Sequence, residues 1–296
     1  FRVGSISKPV TAVAIHMLAE REQLGYDDAL SKFFPELPYD HVTIENLLSH
    51  TSGLYDVYQE VEMRAAFYAF YDKLDPPYTN KDYLEYMIQY KPDLIGDPLE
   101  IDRYSNTGYV LLALIVEQVS GRRFDVFIRE HIFEPAGMTR SGVYSLLEDR
   151  DVPYIVSSYR IDPEGEVQPT PDPNAPRSTY GLTYGDDEMY TTVDDLLAFD
   201  QALRNGTLLK PASLNRMMKP PILADGSTAR YGQGMSVQDI NDIRYVTHTG
   251  SAWSFLAYWK FATPDNDHTV IVFSNVRSQR NTFRAVYTAI NNILHN

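Results

Sequence analysis

The sequence predicts an α+β fold, with an antiparallel sheet flanked by helices and joined to a mostly helical lobe. Two observations carry this. Helical periodicity dominates from Ser5 to about Met218, whereas residues 231–239, 243–249, 253–262 and 268–275 read as strands separated by short polar turns. Connections this short make those strands antiparallel neighbours. The chain has 296 residues, 44% of them hydrophobic, which suits one domain over 1–296. Its sheet lobe is expected from 1–35 and 230–296, and its helical lobe from 36–229.

The elements follow in order. Ser5 to about Glu20 reads as a helix, because Val10, Val13, Ala14, Met17 and Leu18 recur at helical spacing. Pro9 falls near its first turn, where proline is tolerated, and Gly25 is the expected stop. Thr43 caps a short helix through His50. Residues 55 to 104 are rich in tyrosine, which reads as core and rim packing or as an aromatic wall beside a cleft. Asn106 to Val119 is a strongly apolar helix ending at Gly121. Phe124 to Ile132 continues helical until Pro135-Ala136-Gly137-Met138 breaks it. Residues 150 to 190, rich in Pro, Asp and Ser, read mainly as loop. Thr192 caps a helix over Val193–Arg204, which Asn205-Gly206 ends. Pro211 to Met218 is a short helix, and Thr282 to Leu294 a final amphipathic one.

Composition excludes several functions. A formal net charge of -14 opposes nucleic-acid binding and adhesion to anionic membranes. The absence of cysteine removes disulfides, thiolate catalysis and Cys-ligated metals. No apolar run is long enough for a transmembrane helix. No G-x-S-x-G, H-E-x-x-H, Walker A or G-x-G-x-x-G motif occurs, and the histidines lack metal-ligand spacing. Neither metal nor cofactor is expected; the expected partner is a small-molecule or peptide-like substrate.

Three short segments carry chemistry. Ser5-Ile6-Ser7-Lys8 places an amine three residues after a hydroxyl, on one helical face. A serine is a poor nucleophile until a base takes its proton, and a buried lysine can be that base. Alone the pattern is weak, since S-x-x-K arises by chance about once in such a chain. Tyr104-Ser105-Asn106 supplies a phenol, more readily ionised beside an ammonium, and an amide to orient a substrate. Tyr78-Thr79-Asn80 repeats that tripeptide, but Tyr104 directly precedes the apolar helix. His248-Thr249-Gly250-Ser251 ends a strand: Gly250 would admit a substrate backbone, and the Ser251 and Ser5 amides would bind an oxyanion.

Together these segments resemble the serine β-lactamase and penicillin-binding-protein superfamily, in particular its class C-like branch of esterases, D-aminopeptidases and D,D-peptidases. Leu47-Leu48-Ser49-His50-Thr51-Ser52-Gly53-Leu54 and Phe133-Glu134-Pro135-Ala136-Gly137-Met138 add to the likeness, which spans nearly the whole chain. The resemblance implies an acyl-enzyme on Ser5. Lys8 and Tyr104 would share the acid–base work, and Asn106, His248, Thr249, Gly250 and Ser251 would bind substrate. It also implies that His50 and Gly53 are structural. Many relatives carry Lys where His248 stands. A histidine, largely neutral near pH 7, favours an ester or neutral-ended amide over a free carboxylate. Asp186-Asp187-Glu188-Met189 departs from the usual glycine-rich stretch. The family also places one or two strands before the S-x-x-K helix, and these are expected to precede Phe1 in the full gene product. The competing expectation is a non-catalytic ligand-binding or sensing module on the same fold.

Overall fold

The computed structural model describes residues 1–56, 61–71, 79–143, 155–162, 164–170, 183–240, 242–252, 254–264, 267–277 and 280–294. Tyr58, Tyr78 and much of the expected 150–190 loop lie outside them.

A 3₁₀ turn over Gly4–Ile6 leads into α1, Ser7–Glu20. Ser5 therefore sits in the turn rather than in the α-helix expected from that residue. Every side chain from Ser7 to Leu18 is buried, as befits a helix surrounded by the rest of the fold. The helix stops well before Gly25, through Glu22 in the left-handed region at φ 57° and a Gln23 N–H bond to the Leu18 carbonyl. Gly25 instead donates its N–H to Asp28 at 2.8 Å.

Helix α2, Ile44–Leu48, begins with a reciprocal cap: the Asn46 N–H donates to Thr43 Oγ1 and the Thr43 N–H to Asn46 Oδ1. It ends before His50, which turns the chain at φ 59°. Helices α3, Val61–Tyr71, and α4, Asn80–Tyr90, follow. Helix α5, Asn106–Ser120, has its Gly108 N–H capped by Ser105 and stops at left-handed Gly121. It is buried from Thr107 to Val116 and packs against α1 as the second central helix. Helix α6, Phe124–Ile128, runs through a π turn, Arg129–Phe133, into α7, Glu134–Ala136. Pro135 does not break this run. It lies in the first turn of α7, where its missing N–H costs little, and Gly137 at φ 75° is the stop.

Strand β1, Gly142–Val143, precedes a hairpin of β2, Tyr159–Ile161, and β3, Val167–Pro169, inside the expected loop. Strand β4, Met189–Tyr190, pairs with β1. Helix α8, Val193–Arg204, is capped by Thr192, and α9 spans Pro211–Met217. The main sheet then forms in the antiparallel order β5, Ser236–Ile240; β6, Ile243–Ala252; β7, Phe255–Phe261; and β8, Val270–Ser274. Strand β9, Val276–Arg277, runs parallel to β2, and α10, Arg280–Leu294, closes the described chain.

Two contacts fix the sheet between helices. On one face the Trp259 indole N–H donates to buried Asp200 of α8 at 3.1 Å, and the Thr269 hydroxyl and Arg204 reach the same carboxylate. On the other face Tyr258 stacks on Tyr287 of α10 at 4.0 Å and accepts from Asn291 at 2.9 Å. Strand β5 starts at Ser236, later than the sequence predicts, because Tyr231 to Met235 forms a turn with Gly234 at φ 98°. Its pairing with β6 ends at Ser236↔Thr247, whereas β7 pairs with β6 as far as Ala252. Residues 248–252 of β6 thus have no β5 partner on that edge.

Candidate active site

The segment before Ser5 is held on both sides. The Val3 N–H donates to the Met189 carbonyl at 3.0 Å, and the Thr191 N–H to the Phe1 carbonyl at 2.9 Å. Opposite, the Gly4–Ile6 turn presses on β6. Gly4 has φ +56°, and a Cβ there would meet the Ser251 backbone nitrogen at 2.6 Å. A Cβ on Gly250 would lie 1.8 Å from the Val3 carbonyl oxygen. The close approach that Gly250 permits is therefore to the chain's own Val3–Ile6 segment rather than to a substrate backbone. This seats Ser5 beside Ser251, one strand end away from His248 and Thr249.

Lys8 is fully buried, 0% exposed. Its Nζ donates to Ser5 Oγ at 3.1 Å, to Asn106 Oδ1 at 2.7 Å and to the Asp186 main-chain carbonyl at 2.8 Å. Burial lowers its pKa; the carboxylates of Asp186, Asp187 and Asp56 oppose that without overcoming it. The nitrogen also lies 4.8 Å from the centre of the Tyr104 ring.

Tyr104 meets Lys8 through its ring face, and its phenol is harder, not easier, to ionise than a free tyrosine's. Burial pushes its pKa well above the usual tyrosine value, although Ser5 lies near enough to favour the phenolate slightly. Its hydroxyl has no hydrogen-bond partner among the described residues. The phenol therefore stays protonated, suited to give a proton rather than to take one.

Asn106, the first residue of α5, sits between Lys8 and Asp56. Its Oδ1 accepts from Lys8, while its Nδ2 and its main-chain N–H both donate to Asp56 Oδ2, at 2.9 and 3.2 Å. Much of the amide is thus engaged inside the protein. His50 accepts the Ser105 N–H on Nδ1 at 3.1 Å and packs on Tyr104 with centroids 4.3 Å apart. It buttresses the Tyr104–Asn106 segment from below, and burial holds its pKa well below the usual value. Gly53 is required sterically, since a Cβ there would meet the Gly96 carbonyl at 2.0 Å.

His248 is buried, with Nδ1 2.8 Å from the Thr249 carbonyl and Nε2 unpartnered among the described residues. Burial, helped by the Lys8 charge, lowers its pKa to about 3, so it is neutral near pH 7. Ser5, Tyr104, Tyr231, His248, Thr249 and Ser251 line a cleft of about 910 Å³, whose far wall includes Phe283 and Arg284 of α10.

Two contributors carry no motif of their own. Asp56 follows the 47–54 segment at a spacing that points to no role. The run Asp186-Asp187-Glu188 stands out in sequence only as a departure. In the fold Asp186 and Glu188 are buried and Asp187 half-buried, and all three pKa values are raised, chiefly by desolvation, to about 7 for Asp186 and about 8 for Glu188, which pairs with Arg2. Among the described residues no cluster could hold a metal ion, and no helix is long and apolar enough to cross a membrane.

Comparison with known proteins finds relatives over nearly the whole chain. Penicillin-binding protein 4* of Bacillus subtilis is 33% identical over 99% of this chain and 64% of its own length. A D-aminopeptidase of Cereibacter sphaeroides is 24% identical over 93% of this chain and 50% of its own. The chain thus spans between half and two-thirds of these relatives. The octameric penicillin-binding protein homologue from Pyrococcus abyssi superposes with a TM-score of 0.75 at 27% identity, covering 93% of this chain and 61% of that one. The sequence profile of the Beta-lactamase family matches residues 1–293, and the chain belongs to that family.

Proposed function

We propose that this chain is a serine hydrolase acting through an acyl-enzyme on Ser5, with ester and amide carbonyls, those of D-amino-acid derivatives included, as preferred substrates over β-lactams. One observation carries the reading: the Lys8 nitrogen, buried and with a lowered pKa, lies 3.1 Å from the Ser5 hydroxyl at the wall of an open cleft. As Ser5 Oγ bonds to the carbonyl carbon, its proton passes to Lys8. The Ser5 and Ser251 amides receive the oxyanion. Tyr104 passes a proton to the leaving oxygen or nitrogen as its bond to the carbonyl carbon breaks, and the proton that Lys8 took from Ser5 returns to the Tyr104 oxygen, so that the acyl-enzyme holds a neutral amine and a neutral phenol. Water then adds to the acyl carbon as Lys8 takes one of its protons, and Lys8 returns that proton to Ser5 Oγ as the bond between Oγ and the acyl carbon breaks, releasing the acid and restoring Ser5. An extended substrate would lie along the free edge of β6, beside His248, Thr249 and Ser251.

Substrate preference follows from His248. Being neutral, it offers no charge to a substrate carboxylate, which would instead meet Arg284 on the exposed α10. The name of the D-aminopeptidase relative supports the amide choice. In this reading residues 1–296 act as one unit, the nucleophile turn and β6 from the sheet lobe and Tyr104 and Asn106 from the helical lobe.

Intact-mass analysis after fluorophosphonate treatment tests the acyl-enzyme. One adduct on Ser5 is expected, and a folded sample with none between about pH 6 and 9 would support a ligand-binding module instead. A panel of p-nitrophenyl esters, D-amino-acid anilides and a chromogenic cephalosporin tests the preference. The cephalosporin turning over fastest would overturn it.

A further inference from the structure

We propose that Asp56 is a positioning residue that, through Asn106, keeps the lone pair of Lys8 pointed at Ser5. The inference rests on the hydrolase reading above and extends it to a residue with no place in the sequence motifs.

Asp56 is 3% exposed, and its Oδ2 accepts both the main-chain N–H and the side-chain amide of Asn106, at 3.2 and 2.9 Å. Those contacts sit at the first residue of α5, where the helix's positive end also favours a carboxylate. An ionised carboxylate only accepts hydrogen bonds. The two ends of an asparagine amide are nearly equal in shape but opposite in bonding. Asp56 therefore settles which end faces where: Nδ2 to itself, Oδ1 to Lys8.

The consequence appears when Lys8 is neutral, as a base must be. A neutral amine has two N–H groups and one lone pair. Lys8 has three neighbours at 2.7, 2.8 and 3.1 Å: Asn106 Oδ1, the Asp186 carbonyl and Ser5 Oγ. The first two can only accept, so they take both N–H groups. The lone pair is left for the Ser5 hydroxyl, which alone of the three can donate. With Asn106 turned over, its NH₂ would donate to Lys8 and occupy that lone pair. The Ser5 proton would then have no acceptor.

The remaining groups near Lys8 do not supply this control. Asp186 and Asp187 favour its charged form but touch it through a main-chain carbonyl and through space. His50 and His248 are neutral, and Tyr104 and Tyr109 present ring faces.

The test is the second-order rate of Ser5 acylation by a fluorophosphonate across pH, followed by intact mass. It compares wild type, Asp56→Asn, Asp56→Glu, Asn106→Ala and the double variant Asp56→Asn/Asn106→Ala. In Asp56→Asn the plateau rate should fall about 10-fold or more, the scale for a misdirected catalytic group. Its acidic limb should move to lower pH, because a negative charge has left the surroundings of Lys8. Asp56→Glu should keep the limb in place and recover part of the plateau. In the Asn106→Ala background, Asp56→Asn should lower the plateau no further. A folded Asp56→Asn with a plateau within about two-fold of wild type, or the same loss repeated without Asn106, overturns the inference. If Asp56→Asn does not fold, Asp56→Glu decides: a limb that moves with the charge retained overturns it. A wild type that never acquires the adduct would instead overturn the hydrolase reading itself.

Discussion

The Lys8 nitrogen lies closer to Asn106 Oδ1, at 2.7 Å, than to Ser5 Oγ, at 3.1 Å. The amine is thus anchored by oxygens that only accept hydrogen bonds and left in looser contact with the hydroxyl proposed to react. Removing it should be severe. Lys8→Ala is expected to lower Ser5 acylation by at least about 100-fold, the usual scale for lost acid–base catalysis. Stopped-flow or mass-resolved acylation of a folded variant checks this; a wild-type rate would discard Lys8 as the base.

Tyr104 should show its role through the leaving group. Its phenol stays protonated, so Tyr104→Phe should slow hydrolysis of an anilide, whose amine must be protonated to leave, by about 100-fold. A p-nitrophenyl ester, with a good leaving group, should suffer much less. Equal losses on the two substrates would count against Tyr104 as the acid.

Gly250→Ala should disturb the seating of Ser5 from a distance. The new methyl would meet the Val3 carbonyl oxygen at 1.8 Å, and the partner is backbone, which cannot swing aside. A loss of about 3 kcal/mol in stability is expected, at the upper end for overpacking. Chemical denaturation measures it. A variant of native stability would mean that the Gly4–Ile6 turn is less tightly seated than the structure shows.

Asp186 makes stability depend on pH. Its pKa rises from 3.8 to about 7 on folding, because burial outweighs the pull of Lys8. Between those values the folded protein holds a proton that the unfolded chain has released. Its contribution is therefore fully present below about pH 4 and lost as pH rises through 7. Asp186→Asn should accordingly gain in melting temperature relative to wild type as pH goes from about 5 to 8.5. A constant difference across that range would show that Asp186 does not titrate there.

What the sequence could reveal was local. Thr192 and Asn205-Gly206 bound α8 as expected, because a cap and a stop act within a turn of the helix they limit. The nearness of Ser5 and Lys8 was legible for the same reason. The end of α1 at Glu20 was legible too, but not the residue that stops it, nor the end of α2: Glu22 and His50 adopt positive φ where no glycine stands. Nor was the Asp186 carbonyl, which reaches Lys8 across 178 residues and, being main chain, leaves no trace in residue type. The ionisation of Tyr104 was misjudged because desolvation is a property of the assembled fold. Gly250 marked a close approach correctly, but only the structure shows that the approaching group is Val3.

The seating of Phe1–Val3 between residues 189–191 and β6 has a wider consequence. Ser5 is suspended like a bead on a cord tied at both sides, so its position answers to residues that never meet a substrate. Changes around Met189 or Thr191 would then surface as slow acylation with unaltered affinity, and could be mistaken for chemistry when they are mechanics.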